Sequence, residues 1–472
     1  MDATVFSSRL INDGTLGRDI YALAAEIFPL CRSITGNGVR RTIDVLARHA
    51  PVQQHELPTG TPVLDWAIPE EWNIFDAWIK NSQGERVVDF QRSNLHVVNF
   101  STPVRKTMSV VELKRHVFTI PDQPDLIPYR TCFYREEWGF CMSQHQFNAL
   151  EAAGGEYEVV IESSLEPGAM TWGEYLHRGE STDQVLISTH ICHPSLANDN
   201  CSGLALMTML ARELAQRQTR LSYRFVFVPA TIGSIAWLAT NEASLKHIKH
   251  GLVISNVGDA GPPTYKRSRQ GNSLIDRAVA HVLKHSGSKF NLLDFSPNGY
   301  DERQYCSPGF NLPVGLFQRS QFGTFPEYHT SADNLDFIRP EHLEHSFHLI
   351  VQTLEILEND RKLMNLLPKG EPQLGKRGLY ARFGGGDDAM IHNLAVQWVL
   401  NFSDGCHSLL DIAERANLPF DLVFKAASAL ESHGLLAELS DAQTNSIART
   451  DKRRDLRCRD LSICSTHYED RC

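Results

Sequence analysis

The stretch from Val185 to Leu214 constrains the fold of this chain more than any other. The apolar run Val185-Leu186-Ile187 passes into Ser188-Thr189-His190. A turn-rich loop follows, and Asn198-Asp199-Asn200-Cys201-Ser202-Gly203 then opens a helical pattern that ends at Leu214. A short apolar run bounded by turn residues reads as a buried strand, and the 3–4 residue spacing beyond it as a helix. Strand, loop and helix in this order build a largely parallel sheet covered by helices on both faces. Open sheets of that kind bind ligands beyond the carboxyl ends of their strands. His190 ends the strand and Asp199 stands just before the helix, so an imidazole and a carboxylate, both zinc-ligand types, reach the same edge.

The rest of the chain extends this plan. Strands are expected at 158–162, 184–189, 223–228, 252–256 and 313–318. Helices are expected at 202–217, 233–247, 271–286 and 340–364. Two further helices fall within residues 16–48, joined by the polar loop Arg32 to Arg40. Residues 62–150 break the pattern with short strand-like runs such as Val87 to Phe90, Leu95 to Phe100 and Trp138 to Met142. Trp66, Trp72, Trp78 and Trp138 lie in the same region. This predicts a β-rich inserted domain (62–150) with its own aromatic core, inside an α/β domain made of residues 1–61 and 151–368.

Gly384-Gly385-Gly386-Asp387-Asp388 reads as a hinge. Helical patterns at 391–400, 408–416 and 420–433, then Gly434-Leu435-Leu436, predict a winged helix over residues 375–440. Between Lys376 and Leu439 it carries five basic and eight acidic residues, and its third helix has a single cation, Lys425. A protein-contact or homo-oligomer module is expected there rather than a DNA reader. Residues 441–472, with Cys458, Cys464 and Cys472, are expected to be a disordered tail.

Composition narrows the classes. Of 472 residues, 42% are hydrophobic and 22% charged, as in ordinary soluble proteins. No apolar run approaches the roughly 18 residues that span a membrane. No export signal is seen at the N-terminus. The ten scattered cysteines form no disulfide framework, so a cytoplasmic protein is expected. A net charge of −10 disfavours nucleic acid as a main partner.

The His190–Gly203 segment resembles the metal-binding loop of the co-catalytic zinc aminopeptidases, which carry His, a loop, then Asp-Asn-x-Ser-Gly. More closely, the chain resembles a bacterial family of aminopeptidase-like proteins that end in a winged helix. Its hallmarks here are Cys31-Arg32-Ser33-Ile34-Thr35-Gly36-Asn37-Gly38-Val39-Arg40, Ser188 to Pro194, Thr231-Ile232-Gly233-Ser234-Ile235 and Tyr265-Lys266-Arg267-Ser268-Arg269. The resemblance implies an α/β zinc aminopeptidase-like (phosphorylase/hydrolase-like) fold, with a mixed sheet flanked by helices. It implies His190, Asp199 and Asp259 around one zinc, Asp199 as the bridging carboxylate, and His329 for a second metal. One zinc per chain is expected, with room for two.

The chain departs from the zinc aminopeptidases at Val228-Pro229-Ala230-Thr231-Ile232-Gly233-Ser234. They place a Glu-Glu pair here, the first Glu acting as general base and the second as a metal ligand. Glu302 and Glu327 are the candidate substitutes for the base. Arg32, Asn37, His193, Tyr265, Lys266, Arg267, Arg269, Asp301 and Arg303 are the candidate substrate-binding residues, with Arg40 beside them. Their cations suit an anionic group on the substrate. Cys192 and Cys201 flank the metal loop, where a thiolate would alter metal preference.

The expected function is zinc-dependent hydrolysis of a peptide or small amide. The family description links such proteins to polysaccharide or secondary-metabolite biosynthesis. The alternatives are a catalytically impaired scaffold, favoured by Ala230 and Thr231, and a winged-helix DNA-binding regulator.

Overall fold

A computed structural model describes residues 15–379 and 386–438. The chain divides into two units, one formed by Thr4–Leu283 with Gly287–Val351, the other mainly by Gln352–Cys472.

An eight-stranded mixed sheet organises the larger unit. Numbering only its strands in chain order, they are β1 (Gln53–Pro58), β2 (Ala169–His177), β3 (Gln184–His190), β4 (Ser222–Val228), β5 (Ile248–Ile254), β6 (Thr264–Lys266), β7 (Asn291–Leu293) and β8 (Val314–Gln318). Their order is β1-β2-β4-β3-β5-β8-β6-β7. The pairs β3–β4, β3–β5, β5–β8 and β6–β7 are parallel, while β1–β2, β2–β4 and β6–β8 are antiparallel. Every residue of β3 is buried, which explains its unbroken apolar run: both of its faces are covered. His190 pairs with Val228, so the ends of β3 and β4 are level. The helix Gly203–Leu214 packs behind them with ten of its residues buried.

Gly203 permits a close approach at that point. A Cβ there would lie 2.3 Å from Asn200 Oδ1 and 2.9 Å from the Ile254 carbonyl. Overpacking of this kind costs about 1–3 kcal/mol. Gly203→Ala is therefore expected to lower the urea midpoint by that much stability, and an unchanged midpoint would contradict the packing described.

The inserted region builds an antiparallel sheet in the order Arg86–Asp89, Glu71–Lys80, Glu156–Glu166, Val104–Ser109. The strand expected at 158–162 in the α/β sheet belongs here instead. It is the central partner of both Glu71–Lys80 and Val104–Ser109. Its apolar centre, Val159-Val160-Ile161, is buried like a main-sheet strand, and only pairing distinguishes the two. The inserted sheet therefore continues past residue 150 to Glu166. The run Leu95 to Phe100 is also not a strand: it opens with a 3-10 turn at Asn94–His96 and is buried without a ladder.

The insertion has a core of its own around Ile79, Phe140, Phe147 and Val159, against which Trp138 packs. Trp72 instead joins the core containing Trp172 and Trp237, and its indole Nε1 donates to the Ser101 carbonyl at 2.8 Å. Trp66 is 47% exposed.

In the smaller unit, helices Gly386–Phe402, Leu409–Ala416 and Phe420–Ser432 accompany a three-stranded sheet of Asp404–Ser408, Lys362–Asn365 and Leu436–Glu438. The helix expected through Met364 ends at Asn359, because Lys362–Asn365 is recruited as the middle strand of this sheet. Ser408 and Asp411 form a reciprocal capping box at the second helix. Lys425 pairs with Asp421 one turn earlier, at 3.1 Å. Gly384 and Gly385 of the expected hinge, and the expected disordered tail at 441–472, lie outside the described residues; Gly386 begins a helix. Among the described residues no helix is long and apolar enough to cross a membrane.

Candidate metal centre

The end of β3 delivers His190, and the irregular turn Ala197–Ser202 delivers Asp199; both are fully buried. His190 Nε2 lies 2.8 Å from Asp199 Oδ1, and His329 Nε2 lies 3.1 Å from Asp199 Oδ2. The His193 ring stands 4.7 Å from that of His190 and 5.2 Å from that of His329. Three imidazoles thus surround one buried carboxylate. The ligand atoms of His190, His193 and Asp199 all lie within 4.8 Å of one another.

Neighbours fix this arrangement. The Tyr300 hydroxyl donates to Asp199 Oδ1 at 3.2 Å, and its ring stacks on His190. Asn200 Nδ2 donates to Thr189 Oγ1 and to the His190 carbonyl. The Asp333 carboxylate accepts the backbone N–H groups of Asn198 (2.6 Å) and Asp199 (3.0 Å). Asn256 and His329 hold left-handed backbone, φ +51° and +56°, a conformation that costs a non-glycine residue energy and recurs at functional sites. The His329 carbonyl is held by the N–H of Tyr129 at 2.8 Å.

Burial alone would push the Asp199 carboxyl up, but the surrounding imidazoles, His193 and His190 foremost, hold it well below the usual carboxylate range. Burial drives the His193 imidazole well below its ordinary value, against the pull of Asp199. The Asp199 carboxylate, at zero exposure, is paired with the His190 and His329 imidazoles and with no Lys or Arg among the described residues. The donor set of imidazole nitrogens and carboxylate oxygens fits zinc.

The other candidates fall elsewhere. The Asp259 carboxylate accepts from Asn198 Nδ2, Gly261 N, and Ser320 N and Oγ, and meets the metal loop through Asn198. Glu302 is buried in an ion pair with Lys266, whose ammonium also donates to the Ser296 and Asn298 carbonyls. Glu327 is half-buried on the His329 loop. The Tyr265 hydroxyl donates to Asp276, Arg267 to the Gly271 carbonyl and Arg269 to Asn311. Arg303 is exposed. The run 265–269 is thus committed to local contacts rather than to the imidazole cluster. Burial pushes the Cys192 thiol up to about 12, so it is protonated and a poor ligand; the Cys201 thiol is raised by the same cause.

Arg32 is 1% exposed. Its guanidinium donates to the carbonyls of His193 (2.8 Å) and Ile27 (2.6 Å) and to Cys201 Sγ (3.1 Å). Three of its five N–H groups are used on these partners, and it holds the His193 loop from a buried position. Arg32→Met is expected to cost about 3 kcal/mol in urea unfolding, since charged hydrogen bonds contribute about 1.5–3 kcal/mol each; a cost below about 1 kcal/mol would argue against this role.

One participant was missed in the sequence, and a second was read in another role. Tyr129, from the insertion, places its ring 5.1 Å from His193 and 5.0 Å from His329. Nothing in its local sequence marks it, because the contact is made by chain pairing. Asp301, read as substrate-binding, is fully buried. Its Oδ1 accepts from Ser234 Oγ at 2.8 Å, and its Oδ2 has no partner. Burial raises the Asp301 carboxyl to about 6, against the pull of His190 and Ser234. Ser234 lies in the first turn after Ala230-Thr231, where the aminopeptidases carry their Glu pair.

Residues 21–360 match the family described as a domain of unknown function, DUF4910, and residues 361–438 match a winged helix-turn-helix family. The chain belongs to the DUF4910 family. A Clostridium acetobutylicum protein named "Putative polysaccharide biosynthesis protein with aminopeptidase-like domain" is 51% identical over 419 residues, 89% of this chain and 96% of that protein. The crystal structure of a "putative peptidase" from the same organism matches this DUF4910 protein with a TM-score of 0.87 at 49% identity, covering 91% of this chain and 98% of that one. BSAP, a zinc aminopeptidase from Bacillus subtilis, matches at 14% identity with a TM-score of 0.52, covering 72% and 94%. At that identity the likeness is one of fold. The expected aminopeptidase-like α/β fold with a C-terminal winged helix is thus present.

Proposed function

We propose that this DUF4910 protein is a zinc-dependent hydrolase of an amide bond. The observation that carries the proposal is the buried Asp199 carboxylate ringed by His190, His193 and His329 at the carboxyl end of the central strand. His190, Asp199 and His329 would hold the metal, with His193 in reach as a further ligand. Zinc supplies Lewis-acid polarisation of a substrate carbonyl.

The protein's own groups supply the rest. Asp301 Oδ2, buried and unpartnered, takes a proton from the attacking water, in place of the absent glutamate. A carboxyl raised toward neutrality is suited to that role. The Tyr300 hydroxyl and the Asn256 amide that donates to it orient Asp199. Tyr129, edge-on to His329, and Tyr328, stacked on it, narrow the approach of water.

The name of the Clostridium relative supports an amide within a glycan building block as the substrate. Ala230 and Thr231 support a second reading, a non-hydrolytic scaffold on the same fold. A panel of aminoacyl anilides, dipeptides and N-acyl sugars separates the two. Turnover that requires added zinc and His190 supports the hydrolase; zinc binding without any turnover supports the scaffold.

A further inference from the structure

A cleft of about 920 Å³ opens beside the metal loops, between the Cys31–Arg40 signature and the inserted sheet. Ser195 and Ser331, each two residues beyond a site histidine, line one end of it. Its volume is that of a small-molecule site.

Two features of the lining point to a ligand class. The first is aromatic. The ladder between Glu71–Lys80 and Glu156–Glu166 shifts register between Ile74 and Asp76, leaving Phe75 unpaired. A bulge re-aims a side chain, and Phe75 is 64% exposed on the cleft wall, with Phe90 also lining it. The second is charge. Arg40 is taken up by Glu71 and Glu56, but Arg41, on the signature helix, and Arg92, on the insertion, are exposed on the lining and make no ion pair among the described residues. The one acid on the lining, Asp44, already accepts from Gln54 at 2.5 Å. Planar amides also line it: Asn73 accepts from the Asn37 N–H and donates to Glu71, and Gln91 donates to Asp76. Guanidinium forks bind carboxylate or phosphate in a bidentate manner, and cations lining a cleft concentrate anions. Aromatic faces beside amides suit a sugar ring, with its apolar CH face and hydroxyl rim. Against the two unpaired guanidiniums the lining sets one carboxylate, Asp44, so the balance favours an anionic over a cationic ligand.

We propose that this cleft binds an acidic saccharide, a sugar ring bearing a carboxylate or phosphate, packed on Phe75 and Phe90 and held through its anion by Arg41 and Arg92. The proposal deepens the hydrolase reading by naming its substrate class, and it stands on binding rather than on turnover.

Calorimetric titration of the full-length protein at low salt tests it. The probes are methyl glucuronide, glucose 6-phosphate, neutral methyl glucoside, inorganic phosphate and an aspartyl dipeptide. At least one acidic sugar is expected to bind about tenfold or more tighter than methyl glucoside, and Arg41→Gln, Arg92→Gln and Phe75→Ala are each expected to weaken it about tenfold. Which acidic sugar binds identifies the anion as carboxylate or phosphate. Because all three side chains are exposed, unchanged melting temperatures are expected in the variants. His190→Ala is expected to bind the acidic sugar as the parent does, so failure of the metal reading leaves this result standing. No binding of either acidic sugar, binding indifferent to the arginine variants, or phosphate or dipeptide binding as tightly as the sugars would each overturn the proposal.

Discussion

His190→Ala is expected to abolish stoichiometric zinc binding. His190 Nε2 and Asp199 Oδ1 face each other at 2.8 Å with neither group exposed, so removing the imidazole deletes one donor and the partner that helps hold Asp199 ionised. Even indirect partners of a metal ligand contribute about 10- to 100-fold in affinity, and loss of a direct ligand is expected to exceed that range. Elemental analysis after dialysis against buffer without chelator is the measurement, with Asp199→Asn in parallel. About one zinc per chain in the parent and a background level in both variants is the expected result. Equal metal in parent and variants would sink the assignment of these residues. Asp259→Asn is expected to keep its zinc, because the Asp259 carboxylate is spent on Asn198, Gly261 and Ser320. Loss of zinc in that variant would instead place Asp259 among the ligands, as the family resemblance implies.

Asp301→Asn is expected to lower kcat by about 10²- to 10⁴-fold with zinc content unchanged. The amide preserves shape and the contact with Ser234 but cannot take up a proton. The pH dependence carries a sign that can be checked. Activity requires the ionised carboxylate, and burial raises its pKa to about 6. Turnover in the parent should therefore rise from pH 5 to pH 7, and that limb should be absent in the variant.

Stability runs the other way. The folded pKa lies above the unfolded value, so the native state holds the extra proton in the interval between them and loses stability as pH rises through it. Asp301→Asn is thus expected to be neutral or stabilising above pH 6 while losing activity, a combination that a merely structural role would not produce. Glu302→Gln provides the contrast. It should destabilise the fold by leaving Lys266 buried without its partner. If Glu302→Gln removes turnover while Asp301→Asn does not, the proton acceptor has been misassigned.

Much of the architecture was legible because it rests on local chemistry. The apolar run of β3, the Asn-Asp-Asn-x-Ser-Gly turn and the following helix declare themselves through periodicity and turn residues, and they place His190 and Asp199 at one strand end. The same reasoning misplaced 158–162, since Val159-Val160-Ile161 is apolar enough for either sheet, and pairing with Glu71–Lys80 and Val104–Ser109 decides the matter. It also extended a helix into Lys362–Asn365, whose partners lie far along the chain.

The site divides in the same way. Which residue types could meet at the carboxyl edge of the sheet was fixed by the amino-acid sequence alone, together with the absence of a glutamate at Ala230-Thr231. Which of them do meet was decided by the tertiary structure. His193 and Tyr129 join the cluster, Arg32 holds a loop, the basic run at 265–269 turns to its own neighbours, and Asp301 keeps one buried oxygen, Oδ2, without a partner. The physical reason is that a side chain's chemistry is intrinsic, whereas its freedom to act depends on which hydrogen bonds and charges the fold has already assigned to it.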